Sequence, residues 1–424
     1  MLTRLEARRY RCLENVGVTL PQYAVLVGAN GSGKSTLLDI PRLIGDCLKV
    51  TDITQAFNQQ QGRPARCSAL RDIVFCNEGR DFVLVLEAAL PTDVVRRITE
   101  SLEFKRYDVT SSLKNLRYEL RLEIFNEKQI QVKNEYLFLF SEKTTPTREK
   151  GAILYGELRP HKDWRFVIKR EYGGQAFFRT ETQKGAKTRP TKIDASRLAL
   201  PKLQFEARSE FPSAIWFLEL MTQDFLFYEP DLSKLQVASP PGLSSILLPS
   251  AANLPHLAMV LQQDQNRFNL WQEHVKTALP NIERIELKER EEDNHVYFRI
   301  IYQGGYEVTS SGLSDGTLRI LALTILPYLK KLPGVIFLEE PENGIHPRAI
   351  ETILQSLAST YSSQLLTSSH SPVVLANSRL EQILCASLSE RGSMSLISGK
   401  SHPLLKDWKG QIDLGTLFAT GVLE

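Results

Sequence analysis

Gly28-Ala29-Asn30-Gly31-Ser32-Gly33-Lys34-Ser35 decides the reading of this 424-residue chain. Before it runs Ala24-Val25-Leu26-Val27, an apolar stretch that predicts a buried strand. After it, Leu37, Leu38, Ile40, Leu43 and Ile44 recur at helical spacing. A strand, a glycine-rich turn and a helix that opens on Lys and Ser make a cradle for phosphate. The glycines let successive backbone N–H groups curl inward, Lys34 adds a point charge, Ser35 offers a hydroxyl to Mg²⁺, and the helix start contributes partial positive charge. The candidate phosphate ligands are Gly28, Asn30, Gly31, Ser32, Gly33, Lys34, Ser35 and Thr36, with Ser35 also a candidate metal ligand.

A second stretch supplies carboxylates. Val335-Ile336-Phe337-Leu338 reads as a buried strand that ends in Glu339-Glu340, and in open α/β sheets ligands bind at the carboxyl ends of strands. Neighbouring strand side chains point to opposite faces, so two adjacent acids can do different work. Glu339 is expected in the Mg²⁺ shell and Glu340 at the attacking water. Without the glycine loop upstream, the same pair would read as a solvated strand end.

Upstream, Ser311-Gly312-Leu313-Ser314-Asp315-Gly316-Thr317-Leu318-Arg319 opens an apolar helix. Ser314, Asp315 and Gly316 then form either an ordinary cap or a second anion-binding end. Spacing favours the second reading: Glu340 follows Ser314 by 340 − 314 = 26 residues, and His370, in Ser368-Ser369-His370-Ser371-Pro372, follows Glu340 by 370 − 340 = 30.

The rest of the chain frames these motifs. Hydrophobic residues make up 42% and charged residues 24%, which excludes a disordered chain. The opening MLTRLEARRYRCLENV is too charged for a signal peptide, and no apolar run is long enough for a membrane span. A cytoplasmic protein with no membrane partner is expected. Cys12, Cys47, Cys67, Cys76 and Cys385 include no C-x-x-C pair and predict free thiols. Strands dominate from about Phe75 to Phe205, Ser239-Pro240-Pro241-Gly242 reads as a linker, and Leu254 to Leu279 as one helix. Ile282 to Tyr306 reads as two strands around a charged turn, and Gly312 to Ala376 as alternating helix and parallel strand. Glu142 to Lys192 holds 13 Lys/Arg against 6 Asp/Glu, interleaved with Trp164, Phe166, Tyr172, Phe177 and Phe178. It is a candidate nucleic-acid or partner surface, or else a solvated strand face with ordinary core aromatics.

Phosphate loop, LSDG helix, hydrophobic strand ending in EE and strand ending in His together resemble the ATP-binding-cassette type of ATPase. Within it they resemble the branch containing SMC, RecF and overcoming-lysogenization-defect proteins, often labelled AAA family ATPases. RRYRCLENV before the loop, LSDGTLRILAL…FLEEPENGIHP…SSHSP, and Asp413 to Phe418 with Gly421 are similar to small bacterial ATPases of that branch. The resemblance covers residues 1 to 45 and about 235 to 424.

The resemblance implies an α/β fold: a P-loop NTPase, with an ABC-type ATPase head, a strand-rich inserted subdomain and a helical signature lobe. The expected segments are 1–65 with the phosphate loop, 66–235 with the insertion, and 236–424 with the signature, the EE strand and the histidine. It also implies that ATP and Mg²⁺ are cofactors, that Glu340 is the catalytic carboxylate and His370 the switch histidine, and that Pro341 to Pro347 communicate between two sites. Ser314, Asp315 and Gly316 would reach the γ-phosphate held by a second copy, giving a head-to-tail homodimer or higher even oligomer. Arg11 matches an arginine placed near nucleotide or DNA. Glu339 departs from the usual Asp by one methylene. The glutamine that such ATPases carry is not fixed by the motif; Gln59, Gln60, Gln61, Gln204 and Gln223 are candidates. The branch suggests a regulatory ATPase in phage defence or DNA repair, acting on DNA through a separate effector such as a nuclease, since the residues after His370 hold no D-x-D metal cluster. A transporter's nucleotide-binding subunit and a non-hydrolysing ATP-dependent scaffold are the alternatives.

Overall fold

A computed structural model describes residues 1–58, 63–101, 113–146, 149–150, 153–154, 160–172, 174–182, 188–205, 208–405 and 414–420. Along the chain, β1 (Leu2–Tyr10) and β2 (Leu13–Thr19) form a hairpin, β3 (Tyr23–Val27) enters the glycine loop, and α1 (Lys34–Lys49) leaves it. β4 (Asp81–Ala89), α2 (Thr92–Ser101), β5 (Asn115–Phe125), β6 (Gln129–Phe140), β7 (Glu149–Lys150), β8 (Ile153–Leu154), β9 (Arg165–Arg170), β10 (Gln175–Phe178) and β11 (Arg189–Lys192) follow. Then come α3 (Pro212–Thr222), β12 (Phe225–Phe227), α4 (Leu232–Gln236), α5 (Leu254–Gln262), α6 (Gln265–Ala278), β13 (Ile282–Glu289), β14 (Val296–Tyr302) and β15 (Glu307–Thr309). The last third alternates: α7 (Asp315–Thr324), β16 (Val335–Glu339), α8 (Pro347–Ala358), β17 (Gln364–Ser369), α9 (Pro372–Ala376), β18 (Ile383–Leu388), β19 (Met394–Ser398) and α10 (Leu414–Ala419).

The chain divides into two compact units. One comprises Met1–Leu20, Gly31–Asp224 and Ala386–Ile397; the other comprises Pro21–Asn30, Phe225–Cys385 and Ser398–Glu424. The strand-rich stretch thus shares a unit with the N-terminal hairpin and α1. Its eight-stranded sheet has the order β11-β10-β9-β6-β5-β4-β1-β2. All its pairings are antiparallel, and β1 joins the stretch by pairing with β4. Residues on one face of β5, such as Tyr118, are buried and meet α3, where Tyr118 and Phe217 rings lie 5.3 Å apart.

The other face of that sheet buries charge. Arg4, Glu87 and Arg117 stand directly opposite one another on β1, β4 and β5. Arg117, 1% exposed, reaches Glu87 at 2.6 Å, Glu6 at 2.8 Å and Glu119 at 2.9 Å, and Arg4 reaches Glu6 at 2.7 Å. Burial opposes ionisation of Glu6, yet Arg117 and Arg4 hold its carboxyl down to about 2. For Glu87 burial outweighs Arg117 and the carboxyl is pushed up.

The six-stranded sheet has the order β12-β16-β17-β3-β18-β19, and β12, β16, β17, β3 and β18 run parallel. Such strands are covered on both faces and read as continuous apolar runs; every residue of β3 and β17 is buried. The second unit's core gathers Val25 and Val27 of β3, Trp271 of α6, Leu318 and Leu321 of α7, Ile336 and Leu338 of β16 and Ile353 of α8.

Two expectations need correction. Leu254 to Leu279 is two helices, because Asp264 interrupts the pattern and caps α6 by accepting from the Arg267 N–H. Ser239, read as the start of a linker, is buried and pairs its backbone with Val296, while its hydroxyl donates to the Ala252 carbonyl. Gly173-Gly174 reads in the sequence as a hairpin turn, and β9 and β10 do pair antiparallel across it, with Gly174 at φ 92°; Gly173 lies outside the described residues.

Candidate nucleotide site

β3 ends at Val27 and the glycine loop follows, with Gly31 at φ 83° and Gly33 at φ 92°. Both values suit glycine and strain any other residue. Gly33 is the N-cap of α1, a 16-residue helix, and supplies no side-chain cap, so the helix opens directly onto the loop. Lys34 is buried at the first turn, whereas Ser35 is exposed and Thr36 half-buried. Gly33 has a second constraint: a Cβ there would lie 2.7 Å from Cys12 Sγ and 3.2 Å from Met394 Sδ. Cys12 also hydrogen-bonds Thr36, and burial pushes its thiol up. The tip of the β1–β2 hairpin therefore packs on the phosphate loop, a contact that nothing in the sequence announces. All five cysteines are free.

Arg11 sits at that tip with φ 51°. Its N–H donates to the Ile73 carbonyl at 2.7 Å, its guanidinium to the Arg66 carbonyl, and it lies 5.8 Å from the Tyr10 ring. Arg66 in turn grips Asp39 and Asp46 of α1 at 2.9 and 2.7 Å. The arginine is thus one residue from the loop contact made by Cys12.

In the second unit, β16, β17 and β3 place their carboxyl ends on one edge: Glu339 pairs with Ser368, and Ser369 with Val27. Gly28, Glu340 and His370 follow directly from those ends. Glu339 is exposed. Glu340 leaves the strand at φ 44°, an unusual conformation for glutamate, with its N–H donating to the Ser368 carbonyl at 3.0 Å. Its carboxylate is held at both oxygens: His370 Nδ1 donates to Oε1 at 2.8 Å and Asn343 Nδ2 donates to Oε2 at 2.7 Å. Beneath this pair, Glu342 is buried. Its Oε1 accepts from Ser369 Oγ at 2.5 Å, its Oε2 has no hydrogen-bond partner among the described residues, and burial pushes its carboxyl up. Sequence reading found Glu340 and His370 but missed Asn343, Glu342 and Ser369. Asn343 and Glu342 stood in the quoted PENG stretch with nothing in their spacing to show which way they turn.

Ser314 caps α7, accepting from the Thr317 N–H at 3.2 Å, yet Ser314 and Asp315 remain exposed. A Cβ on Gly316 would lie 3.1 Å from the Gly344 carbonyl, so the start of α7 packs closely on the turn that carries Asn343. Of the glutamine candidates, Gln59, Gln60 and Gln61 lie outside the described residues, while Gln204 and Gln223 are exposed in the first unit. The segment leaving β12, at the edge shared with Glu339, carries Tyr228, Glu229 and then Gln236, whose Nε2 donates to Asp315 at 3.3 Å. Asp413 and Gly421 of the closing motif also lie outside the described residues.

Among the described residues no group of three or more His, Cys, Asp or Glu side chains could hold a metal ion alone. A divalent cation would have to take most of its ligands from phosphate and water. The Ser35 hydroxyl in the first unit and the Glu339 carboxylate in the second are each a hard oxygen donor of the kind Mg²⁺ accepts.

A glycine-rich loop between a parallel strand and a helix, in a chain whose other parallel strands end in Glu-Glu and His, defines a P-loop NTPase. The family described as "AAA domain, putative AbiEii toxin, Type IV TA system" matches residues 24–376, and the chain belongs to it. Similar solved structures include an SMC head bound to the C-winged helix domain of ScpA, at 11% identity, TM-score 0.48, over 93% of this chain and 97% of that one. The SMC head domain from Thermotoga maritima is similar at 10% identity, TM-score 0.44, over 94% and 98%. An SMC head with an extended coiled coil, bound to the C-terminal domain of ScpA derived from Pyrococcus furiosus, is similar at 12% identity, TM-score 0.48, over 100% and 98%. No curated protein sequence matches the chain. No helix among the described residues is long and apolar enough to cross a membrane.

Proposed function

We propose that this chain binds and hydrolyses ATP and that ATP joins two copies head to tail. The observation that carries the reading is the carboxylate of Glu340, fixed by His370 and Asn343 at the strand edge where the phosphate loop begins. In this reading Gly28, Asn30, Gly31, Ser32, Gly33, Lys34, Ser35 and Thr36 bind the triphosphate, and Ser35 and Glu339 would hold Mg²⁺, which neutralises phosphate charge. Glu340 orients the hydrolytic water and His370 senses the γ-phosphate. Ser314, Asp315 and Gly316 supply contacts to nucleotide held by the second copy; the exposure of Ser314 leaves it available for that role. Bound γ-phosphate then adds contacts across the dimer and hydrolysis removes them, which makes turnover a timer.

In the same reading the dimer regulates a separate effector such as a nuclease, in phage defence or DNA repair, with the phosphate loop in 1–65, the insertion in 66–235 and the signature half in 236–424. DNA contact at Arg11 or along Glu142 to Lys192 belongs to this reading too. Support for that surface is partial: Trp164 stacks on Phe138 at 4.6 Å as core, whereas Tyr172 and Phe177 are exposed. The test is phosphate release and sizing of the wild type beside Glu340→Gln. The wild type should release phosphate; Glu340→Gln should bind ATP, lose at least about a hundredfold in kcat and accumulate as dimer. Ordinary turnover by Glu340→Gln contradicts the assignment.

A further inference from the structure

We propose that Asn343 is a positioning residue for the hydrolytic carboxylate, an inference that rests on the reading of Glu340 given above. The two oxygens of Glu340 are held from different elements. His370, on Oε1, follows β17. Asn343, on Oε2, belongs to the same turn as Glu340: its backbone N–H donates to the Glu340 carbonyl at 3.0 Å and its side-chain amide to the carboxylate at 2.7 Å. The turn is itself fixed, by Ser369 against Glu342 below and by Gly316 against Gly344 beside it.

A glutamate side chain has three rotatable bonds, and one hydrogen bond leaves its carboxylate free to swing. Two bonds from opposite sides fix its plane. Because Asn343 belongs to the same turn as Glu340 and His370 does not, the Asn343 bond to Oε2 does not depend on where His370 stands. Removing it takes away one of the contacts that set the carboxylate's plane, and misplacement of a catalytic group by about 1 Å costs on the order of a hundredfold in rate.

The amide is also chemically specific. Asparagine donates to a carboxylate; aspartate of the same shape cannot, and at neutral pH it repels one. This separates positioning from packing. The experiment measures ATP hydrolysis, affinity for a non-hydrolysable ATP analogue and melting temperature without nucleotide for the wild type, Asn343→Ala, Asn343→Ser, Asn343→Asp and Glu340→Gln. For Asn343→Ala, kcat should fall about ten- to a hundredfold with KM and analogue affinity within about twofold. Asn343→Ser, which keeps a short donor, should recover part of that loss. Asn343→Asp should be the slowest of the three despite its matching shape.

An Asn343→Ala kcat within about twofold of wild type overturns the proposal. So does an Asn343→Asp enzyme as fast as wild type, which would mean that shape alone matters. A wild type that releases no phosphate, or a Glu340→Gln protein that turns over normally, removes the reading of Glu340 itself and takes the proposal with it. A normal Glu340 dependence with an unaffected Asn343→Ala leaves that reading standing and discards only the role of Asn343.

Discussion

The antiparallel sheet keeps charges in the middle of its strands, whereas the parallel sheet keeps them at a strand end. In β1, β4 and β5, Arg4, Glu6, Glu87, Arg117 and Glu119 are all buried. Across β3, β12, β16, β17, β18 and β19 the single charged residue is Glu339, the last of β16. Buried polar side chains in the parallel sheet are uncharged; the Thr367 hydroxyl, for one, donates to the Ala24 carbonyl on the neighbouring strand at 3.1 Å. The contrast separates two uses of charge. Arg4 and Arg117 are enclosed with the carboxyl groups of Glu6, Glu87 and Glu119 and bonded among themselves, which is a structural use. Glu339, Glu340 and His370 emerge where strands end and chain direction changes, which suits chemistry.

Substitutions can break this comparison. Arg117→Met leaves Glu6, Glu87 and Glu119 buried without their shared cation, and breaking a buried ion pair from one side costs about 3–5 kcal/mol. Chemical denaturation should show a loss of that size, while Glu340→Gln should unfold like the wild type. Equal stability of Arg117→Met and wild type would mean that the buried network adds nothing.

A smaller effect is expected at Glu181, buried in the first unit, where its carboxylate caps α3 by accepting from the Ser213 and Ala214 N–H groups at 2.8 and 3.1 Å. Burial pushes its carboxyl up to about 7. Because the folded state holds that proton more tightly than the unfolded chain, this group's contribution to stability is complete below about 4.5 and declines as pH rises through about 7. The full difference is at most about 3 kcal/mol. The stability of wild type relative to Glu181→Gln should therefore fall between about pH 5 and pH 8; a difference that stays flat would show that Glu181 is ionised throughout.

Gly316→Ala sharpens the comparison at the opposite extreme. Its Cβ would press on the Gly344 carbonyl at 3.1 Å, a mild overpacking of about 1 kcal/mol. The melting temperature should fall slightly. No change would show that the start of α7 and the Asn343 turn adjust independently.

The contrast between the sheets also explains what the sequence disclosed. β3, the glycine loop and β16 were legible because continuous apolar runs followed by glycines or acids have few other readings. The buried charge layer was not. Arg117-Tyr118-Glu119-Leu120-Arg121 alternates as a half-solvated strand would, and only pairing across β1, β4 and β5 shows that the polar face is enclosed. Cys12 gave no local signal of its contact with Gly33, 21 residues away (33 − 12), because that contact depends on where a hairpin tip comes to rest. Asn343 was hidden for a different reason. Its bond to Glu340 follows the left-handed backbone there, which sequence pattern does not encode for a glutamate.

Complementation between two inactive variants tests most directly whether the site is shared between copies. Lys34→Ala removes the phosphate-loop charge and Ser314→Arg blocks the start of α7; each alone should release no phosphate. In a head-to-tail dimer, a mixed pair contains one site with both Lys34 and Ser314 intact. An equal mixture should therefore regain about a quarter of wild-type turnover, from half of the dimers with one working site each. A mixture as silent as its parents would contradict the account, since it would mean that Lys34 of one copy and Ser314 of the other never serve the same nucleotide.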